Sequence, residues 1–195
     1  MSNYLISTIL GAIIYILPAY VSNATSCIFG GGSPLDKNLL FYDGRRIIGN
    51  GVTIRGTVAG IICGTITGFI EGYIFANPSI LGGEYIYNLI NNMPISLSLF
   101  NNTILDWTFL GFLLSIGAIF GDAFGSFIKR RLNIKQGNPA PILDQIGFLV
   151  FALILAYPFY PVDFKMILIM FIITPVIHFS SNVIAYILGF KKVWW

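Results

Sequence analysis

The stretch that decides the fold reads Gly121-Asp122-Ala123-Phe124-Gly125-Ser126-Phe127-Ile128-Lys129-Arg130-Arg131. A carboxylate lies in the last turns of an apolar segment of membrane length, and three basic residues follow it. On a helix, Ser126 lies about 40° and Lys129 about 20° around the axis from Asp122, so the three share one face. A carboxylate in hydrocarbon is costly unless it faces a wet cavity, pairs with a cation or holds a metal. The stretch therefore predicts a membrane helix that ends in a site for an anionic ligand and a divalent metal.

The composition places the whole chain in the membrane. Of its 195 residues, 56% are hydrophobic and only 10% are charged, whereas a soluble domain carries about 25% charged residues. The formal net charge of +3 does not indicate nucleic-acid binding. The few basic residues lie in loops beside apolar segments, where they set the orientation of membrane helices. Soluble enzymes and nucleic-acid-binding domains are therefore excluded.

Five apolar segments are long enough to cross the hydrocarbon core of a bilayer, which is about 30 Å thick. They predict an all-α, polytopic membrane protein with a single domain over residues 1–195. The predicted spans are about 4–21, 54–75, 107–128, 142–160 and 164–190. The first span is expected to end soon after Pro18.

The orientation follows from the lysines and arginines. Of the eleven, only Lys165 falls outside the connections assigned to one side. The others are Lys37, Arg45, Arg46 and Arg55 in the first connection, Lys129, Arg130, Arg131 and Lys135 in the third, and Lys191 and Lys192 at the C-terminus. Because cytoplasmic loops are rich in lysine and arginine, the N-terminus is predicted outside and the C-terminus inside. The protein would then be a multi-pass protein of the cell membrane, with its active site facing the cytoplasm.

The first connection contains glycines and arginines that have two interpretations each. It reads Gly30-Gly31-Gly32-Ser33-Pro34-Leu35-Asp36 and then Asp43-Gly44-Arg45-Arg46, and Arg55 follows where the second span begins. Glycine allows backbone N–H groups to converge on an anion, but it also forms flexible turns. The arginines suit bidentate phosphate contact, or act as topology anchors.

Asp144 is the second acidic residue near the predicted cytoplasmic end of a span. It follows Pro141, a residue suited to a helix start, so it falls in the first turn of the fourth span. Taken alone, it is explained by favourable electrostatics at a helix N-terminus. Asp122 and Asp144 lie near the cytoplasmic ends of consecutive antiparallel spans, however. Two such carboxylates can hold one or two Mg²⁺ ions and leave positions for phosphate oxygens.

Several motifs in order resemble those of the archaeal CDP-archaeol synthases, which are CTP-dependent cytidylyltransferases acting on an isoprenoid ether-lipid phosphate. The similarity covers nearly the whole chain, and part of it is shared more distantly with CDP-diacylglycerol synthases. The motifs are Leu17-Pro18-Ala19-Tyr20-Val21 with Asn23, Gly30-Gly31-Gly32-Ser33-Pro34-Leu35-Asp36, Asp43-Gly44-Arg45-Arg46-Ile47-Ile48-Gly49-Asn50-Gly51, Thr53-Ile54-Arg55-Gly56, Gly121-Asp122 to Lys129-Arg130-Arg131, and Leu143-Asp144-Gln145.

The resemblance implies transfer of CMP from CTP to unsaturated archaetidic acid, with Asp122 and Asp144 holding Mg²⁺. Lys129 and Arg130 would act with them in catalysis, while membrane lipids surround the protein and an oligomer is left open. The residues implied to bind CTP are Gly31, Gly32, Ser33, Asp36, Arg45, Arg46, Arg55, Ser126 and Arg131. Two alternatives remain at this stage: a CTP-dependent polyprenol or phytol kinase, which would release CDP, and a small transporter with Asp122 in its path.

Overall fold

The computed structural model describes residues 2–81, 103–138 and 140–189. Within these ranges the protein is all-helical, as predicted, and its only extended pairing is two isolated bridges in the first connection. The helices are α1 (Ser2–Ile28), α2 (Ile54–Ala76), α3 (Thr103–Arg131), α4 (Pro141–Ala156) and α5 (Phe164–Ile187), with a short 3₁₀ turn at Pro78–Leu81. Residues 82–102 and 190–195 lie outside the described residues. They include most of the predicted outer connection, the predicted end of the last span, and Lys191 and Lys192.

Four of the described helices, α1, α2, α3 and α5, are long and apolar enough to cross a membrane. The remaining helix, α4, is apolar but has only 16 residues, which gives it a length of about 24 Å at 1.5 Å per residue. It ends at Ala156, short of the predicted boundary at residue 160, and gives way to a turn. Pro158 has no N–H to donate to the preceding turn, so the helix is not continued.

Helix α1 continues through Pro18 to Ile28, and the predicted end at residue 21 is too early. Proline is tolerated inside membrane helices because neighbouring helices compensate for the lost hydrogen bond. Pro18 is fully buried here, and its carbonyl faces α2 at Gly64. The extra turns place the carbonyls of Ser22 and Ser26 against Gly60 and Gly56 of α2. As a result, α1 reaches the loops that carry the predicted site.

A stripe of glycines at every fourth residue lets α2 pack closely between α1 and α3. Its members are Gly56, Gly60, Gly64, Gly68 and Gly72, all of them buried. A Cβ on Gly64 would collide with Ser115 of α3 and with the carbonyl of Pro18, and one on Gly68 would collide with the carbonyl of Trp107. Small residues allow helix backbones to approach in a membrane, where packing rather than the hydrophobic effect drives association. The stripe therefore fixes α1, α2 and α3 as one layer.

A second set of close contacts fixes the register of α3 against α4. A Cβ on Gly121 would lie 2.6 Å from the carbonyl of Gly147, and one on Gly117 would lie 2.5 Å from the Cα of Ala152. Further along, a Cβ on Gly125 would lie 3.5 Å from the carbonyl of Leu143. The two helices are thus antiparallel neighbours, as predicted. This register brings Asp122 and Asp144 to the same end of the bundle, which we call the loop end because connections 29–53 and 132–140 lie there.

Helix α5 completes the bundle by packing on α1 and α4. The Tyr20 hydroxyl of α1 shares a 2.7 Å hydrogen bond with the Thr174 hydroxyl of α5. The ring of His178 stacks on Phe148 of α4 with centroids 6.2 Å apart. The fully buried apolar side chains between the helices include Tyr15, Ile16, Trp107, Leu110, Leu114, Phe148, Leu149, Met166 and Met170. This core lies below the loop end and supports it.

Candidate active site

The first connection is docked onto the end of α3 by Arg45. Its Nη1 donates hydrogen bonds to the carbonyl oxygens of Arg131, at 2.7 Å, and Arg130, at 3.3 Å. The last carbonyls of a helix have no partner within it and carry partial negative charge, so a guanidinium is a favourable cap. Arg45 was predicted to bind CTP. That role stays a prediction; in the described structure, the Arg45 guanidinium joins the first connection to the end of α3.

Arg131 holds the same connection from the other side. Its guanidinium carbon lies 4.8 Å from the ring centroid of Phe41 and 4.8 Å from that of Phe127. Its Nε forms an ion pair with Asp43 at 3.0 Å, and its Nη2 donates to the carbonyl of Arg46 at 2.7 Å. A cation between two aromatic faces and beside a carboxylate is firmly placed. Arg131 therefore fixes the position of the connection above α3.

Asp36 and Arg46 form a buried ion pair inside the first connection. Arg46 donates from Nη2 to Oδ1 at 2.6 Å and from Nε to Oδ2 at 3.2 Å, and the Asp36 side chain is only 1% exposed. The backbone N–H groups of Ile48 and Gly49 also donate to Oδ2, each at 2.9 Å. Burial alone would raise the pKa of Asp36. The hydrogen bonds from Arg46 and the backbone outweigh that effect and hold the pKa well below its usual range.

Arg55 ties the glycine stretch to the helix ends. Its Nε donates to the carbonyl of Phe29 at 2.8 Å, and its Nη2 donates to the carbonyl of Gly30, just beyond the end of α1. Gly31 and Gly32 have φ values of +102° and +77°, a region that side chains disfavour. The Ser33 carbonyl accepts from the N–H of Ile54 at 3.1 Å. The three predicted nucleotide-binding positions Gly31, Gly32 and Ser33 therefore lie at the junction of α1 and α2.

At the end of α4, Asp144 accepts hydrogen bonds at both carboxylate oxygens. Lys129 Nζ lies 2.6 Å from Oδ1, and the N–H of Ala140 donates to Oδ2 at 2.9 Å. Both side chains retain limited solvent exposure, 15% for Lys129 and 31% for Asp144. The structure thus brings together two residues that were predicted as catalytic, and pairs them across α3 and α4.

Asp122 lies half-buried within electrostatic range of both Asp144 and Lys129. Among the described residues, none donates a hydrogen bond to its carboxylate. Ser126 follows one turn later on the same helix face, as predicted. Asp122 and Asp144 are therefore close enough for their charges to interact, and the Lys129 ammonium acts on both carboxylates.

Arg130 differs from the other predicted phosphate-binding cations. Its Nε is buried, and no described residue accepts a hydrogen bond or forms an ion pair with its guanidinium. Nη1 faces the turn at Gly49, where a Cβ would lie 3.9 Å away. Gln136 is beside it and accepts from the N–H of Asn50 at 3.3 Å. The Arg130 guanidinium is thus available for an anion.

The carboxylates present fit a magnesium ion. Mg²⁺ prefers oxygen ligands and is commonly held by one or two carboxylates together with substrate phosphates. Asp122 accepts no hydrogen bond from the described residues, and Asp144 lies within its electrostatic range. In those same residues there is no group of three or more acidic, histidine or cysteine side chains that could form a complete protein cage. This pair suits an ion that takes further ligands from a phosphate substrate.

Sequence reasoning missed how the loop charges neutralise one another. It predicted that Asp36, Arg46 and Arg131 bind the nucleotide, which stays a prediction, and it did not predict that Asp36 pairs with Arg46 and Arg131 with Asp43. No local pattern marks these pairs, because their partners are set by the path of the loop. Gln136 was not singled out at all, and it belongs to no recognisable motif.

Comparison with known proteins gives matches along nearly the whole chain. A family model described as CDP-archaeol synthase, CarS-like, matches residues 5–195. A CDP-archaeol synthase of Methanococcus aeolicus is 54% identical over 98% of this chain and 99% of the relative. One of Methanocaldococcus jannaschii is 49% identical over 93% of this chain and 94% of the relative. One of Thermococcus gammatolerans is 40% identical, with 97% and 98% covered.

A solved structure has the same fold. It is described as an intramembrane enzyme for archaeal membrane lipid biosynthesis, and the match has a TM-score of 0.68 at 31% identity. The match covers 90% of this chain and 94% of that protein. Matches of this extent in sequence and in structure leave one conclusion: the chain belongs to the CDP-archaeol synthase family.

Proposed function

We propose that this protein transfers CMP from CTP to the phosphate of an unsaturated archaeal ether lipid, 2,3-bis-O-geranylgeranylglycerol 1-phosphate, forming CDP-archaeol and pyrophosphate. Membership of the CDP-archaeol synthase family supports the proposal. The structural observation that carries it is the cluster of Asp122, Asp144 and Lys129 at the end of a bundle of membrane-length helices. This placement suits a reaction between a nucleotide from water and a lipid that stays in the bilayer.

In this reaction, an oxygen of the lipid phosphate attacks the α-phosphorus of CTP. A new P–O bond forms, the bond between the α-phosphorus and the oxygen that bridges to the β-phosphate breaks, and pyrophosphate leaves with that oxygen. A phosphate monoester is already largely ionised near neutral pH, so no protein base is required. Two polyanions must meet, so catalysis consists mainly of charge neutralisation and in-line positioning.

The site residues divide these tasks. Asp122 and Asp144 would hold Mg²⁺, which supplies charge neutralisation at the phosphate oxygens when it is bound. Arg130 donates to a phosphate group, since its guanidinium has no acceptor among the described residues. Lys129 lies at Asp144 with its ammonium towards the same space, where it adds positive charge beside the reacting phosphates. The Ser126 hydroxyl, one turn from Asp122, supplies a further donor.

The first connection binds the nucleotide in this proposal and also shapes the site. Arg45, Arg46 and Arg131 hold its backbone against α3, while Arg55 and the glycines Gly31 and Gly32 join it to α1 and α2. Ser33 and Asp36 belong to the same framework, so a change in any of these residues alters where the nucleotide sits.

We place the site on the cytoplasmic side of a protein with five spans, an outside N-terminus and an inside C-terminus. The two basic connections meet at one end through Arg45 and the carbonyl of Arg131, so their positive charges lie on one side. Helix α4 then forms the fourth span together with the turn that follows it. CTP is a cytoplasmic nucleotide, which agrees with this orientation.

The test is product analysis with CTP labelled in its base and in its γ-phosphate, together with the purified lipid phosphate and Mg²⁺. The expected products are a base-labelled lipid and labelled pyrophosphate. Release of CDP with a γ-labelled lipid would instead identify a lipid kinase and overturn the proposal. Omission of Mg²⁺ should abolish both products, and titration with Mg²⁺ should restore them.

A further inference from the structure

The first connection carries an apolar tip, residues 39–42, whose side chains are largely exposed in the part of the protein that the structure describes. Leu39 is 60% exposed, Leu40 is 61% exposed and Tyr42 is fully exposed. The tip is an ordered turn, since the N–H of Phe41 donates to the carbonyl of Arg45 at 2.7 Å and the N–H of Gly44 donates to that of Phe41 at 2.9 Å. Several adjoining exposed apolar side chains mark an interaction surface.

The apolar tip continues the lipid-facing surface of the bundle. Phe41 packs edge-on against Phe127 at 5.3 Å between centroids, and Phe127 stacks with Phe124 at 6.4 Å. Phe124 meets Phe151 of α4 at 5.0 Å, and Phe151 meets Phe120 at 5.2 Å. Phe124 and Phe120 are 43% and 57% exposed within a membrane-length helix, so they face lipid. An aromatic column therefore runs from the hydrocarbon region to the tip.

The charges around the tip suit the surface of a bilayer. Arg131 lies against the Phe41 ring, and Arg45 lies at the base of the turn with its side chain 40% exposed. Arg45 donates to the carbonyl of Arg131 in the last turn of α3, and the Arg131 side chain pairs with Asp43 beside the tip, so the depth of the tip is fixed at the end of that helix. Aromatic residues beside arginines are typical of the boundary between lipid head groups and hydrocarbon. An open apolar cavity of about 460 Å³ is lined by Leu40, Phe41, Tyr42 and Ile47, and it offers room for lipid chains.

We infer that the apolar tip inserts into the bilayer surface at the loop end and binds membrane lipid through Leu39, Leu40 and Tyr42. The first connection is then held by the protein on one side, through Arg45 and Arg131, and by lipid on the other. This arrangement keeps the connection at the depth of the lipid head groups. The inference rests on the aromatic column and the exposed tip alone, so it stands whether or not the proposed reaction is correct.

The test is fluorescence of a Tyr42→Trp variant in lipid nanodiscs that contain one protein copy each. Parallel samples use ordinary lipids and lipids brominated on the upper part of their chains. The emission of the new tryptophan is obtained by subtracting the wild-type spectrum. It should be blue-shifted, it should be strongly quenched by brominated lipid, and it should not be quenched by acrylamide in the water. An Asn138→Trp variant, placed in an exposed turn of the 132–140 connection, is the matched control. Its added fluorescence should be quenched by acrylamide and not by brominated lipid.

A second position guards against a local artefact. Leu40→Trp lies in the same turn and should behave like Tyr42→Trp, because both side chains are largely exposed. If both variants are quenched by acrylamide and not by bromine, the tip lies in water and the inference is wrong. It is also wrong if protection appears only in discs that contain two copies, since the tip would then bind a second chain.

Discussion

At the scale of single residues, the loop end is a set of charges that mostly satisfy one another. Arg46 is matched by Asp36, Arg131 by Asp43 and Lys129 by Asp144. Asp122 and Arg130 are the exceptions among the predicted site residues that the structure describes. A charged side chain that is shielded from water and makes no hydrogen bond or ion pair is costly unless it binds a ligand. These two residues are therefore the first to test.

Replacement of Asp122 or Asp144 by asparagine should remove most of the cytidylyltransferase activity. Each change keeps the shape of the side chain and removes a charge that would hold Mg²⁺, and the double variant should lose little more than either single one. Asp163→Asn at the opposite end of the bundle is the control and should leave turnover unchanged. The measurement is turnover against Mg²⁺ concentration in folded protein. Normal activity with an unchanged Mg²⁺ optimum would mean that the carboxylates are structural.

Arg130→Ala should weaken the use of CTP without loosening the loops. Loss of a charge-assisted contact to phosphate costs about 1.5–3 kcal/mol, or roughly a 10- to 150-fold fall in kcat/KM. Arg130→Lys keeps the charge and should recover part of the activity, while Lys135→Ala, at a nearby exposed lysine, should have little effect. Equal kcat/KM values for wild type and Arg130→Ala would show that this guanidinium does not bind the substrate.

The Asp36–Arg46 pair should make stability depend on pH. The pKa of Asp36 is lowered in the folded state, so its contribution is complete above the unfolded pKa of about 3.9 and is lost as the pH falls below that value. Between about pH 7 and pH 3, wild type should lose about 1 kcal/mol more than Asp36→Asn. At neutral pH the variant should itself be destabilised by about 3–5 kcal/mol, because Arg46 is left without its partner. Stability is measured by thermal unfolding of both proteins at both pH values. An equal loss of stability in wild type and Asp36→Asn between pH 7 and pH 3 would contradict the prediction.

The sequence predicted which candidate site residues lie near one another on the helices, but not which contacts the loop arginines make. Spacing on one helix was enough to place Asp122, Ser126 and Lys129 on a shared face, and the antiparallel spans were enough to bring Asp144 near them. The partners of Arg45, Arg46 and Arg55 depend on the path of the first connection. That path is set by contacts between distant residues and leaves no periodic signal.

At the scale of elements, the glycine stripe of α2 is the feature that most strongly determines the packing. The prediction of five apolar segments did not use it, although its four-residue spacing is plain in the sequence. Apolar length predicts that a helix crosses the membrane, whereas small residues decide which neighbour it touches. For that reason the sequence predicted that these segments are helices, with errors at the ends of the first and fourth, and it gave no prediction for the arrangement of α1, α2 and α3.

Gly64→Leu should destabilise the protein strongly. Its side chain would occupy space already filled by Ser115 and the carbonyl of Pro18, and such overpacking costs roughly 1–3 kcal/mol or more. Val58→Leu on the exposed face of the same helix is the control and should be nearly neutral. The measurement is the midpoint of heat denaturation in detergent, together with activity. A shift as small as that of Val58→Leu would mean that α2 does not pack as described.

At the scale of the whole molecule, the proposed orientation is open to direct labelling. After replacement of Cys27 and Cys63, a cysteine at residue 91 should react with an impermeant reagent added outside intact cells, and one at Gly137 should react only after the membrane is opened. The reason is the concentration of lysine and arginine on the side that holds Gly137. Reversed labelling would place the carboxylates in a compartment without CTP.

The close approach of α2 to its neighbours also bears on how the protein moves. Where two helices are in direct backbone contact, their spacing is set by peptide geometry and not by side-chain rotamers. Such helices can shift little relative to one another. Amide hydrogen exchange should therefore be slowest along α2 and the facing turns of α1 and α3. Because Gly117 and Gly121 hold α4 equally close to α3, any opening that admits the lipid must then come from α5 and the two loops, which move against a fixed four-helix frame.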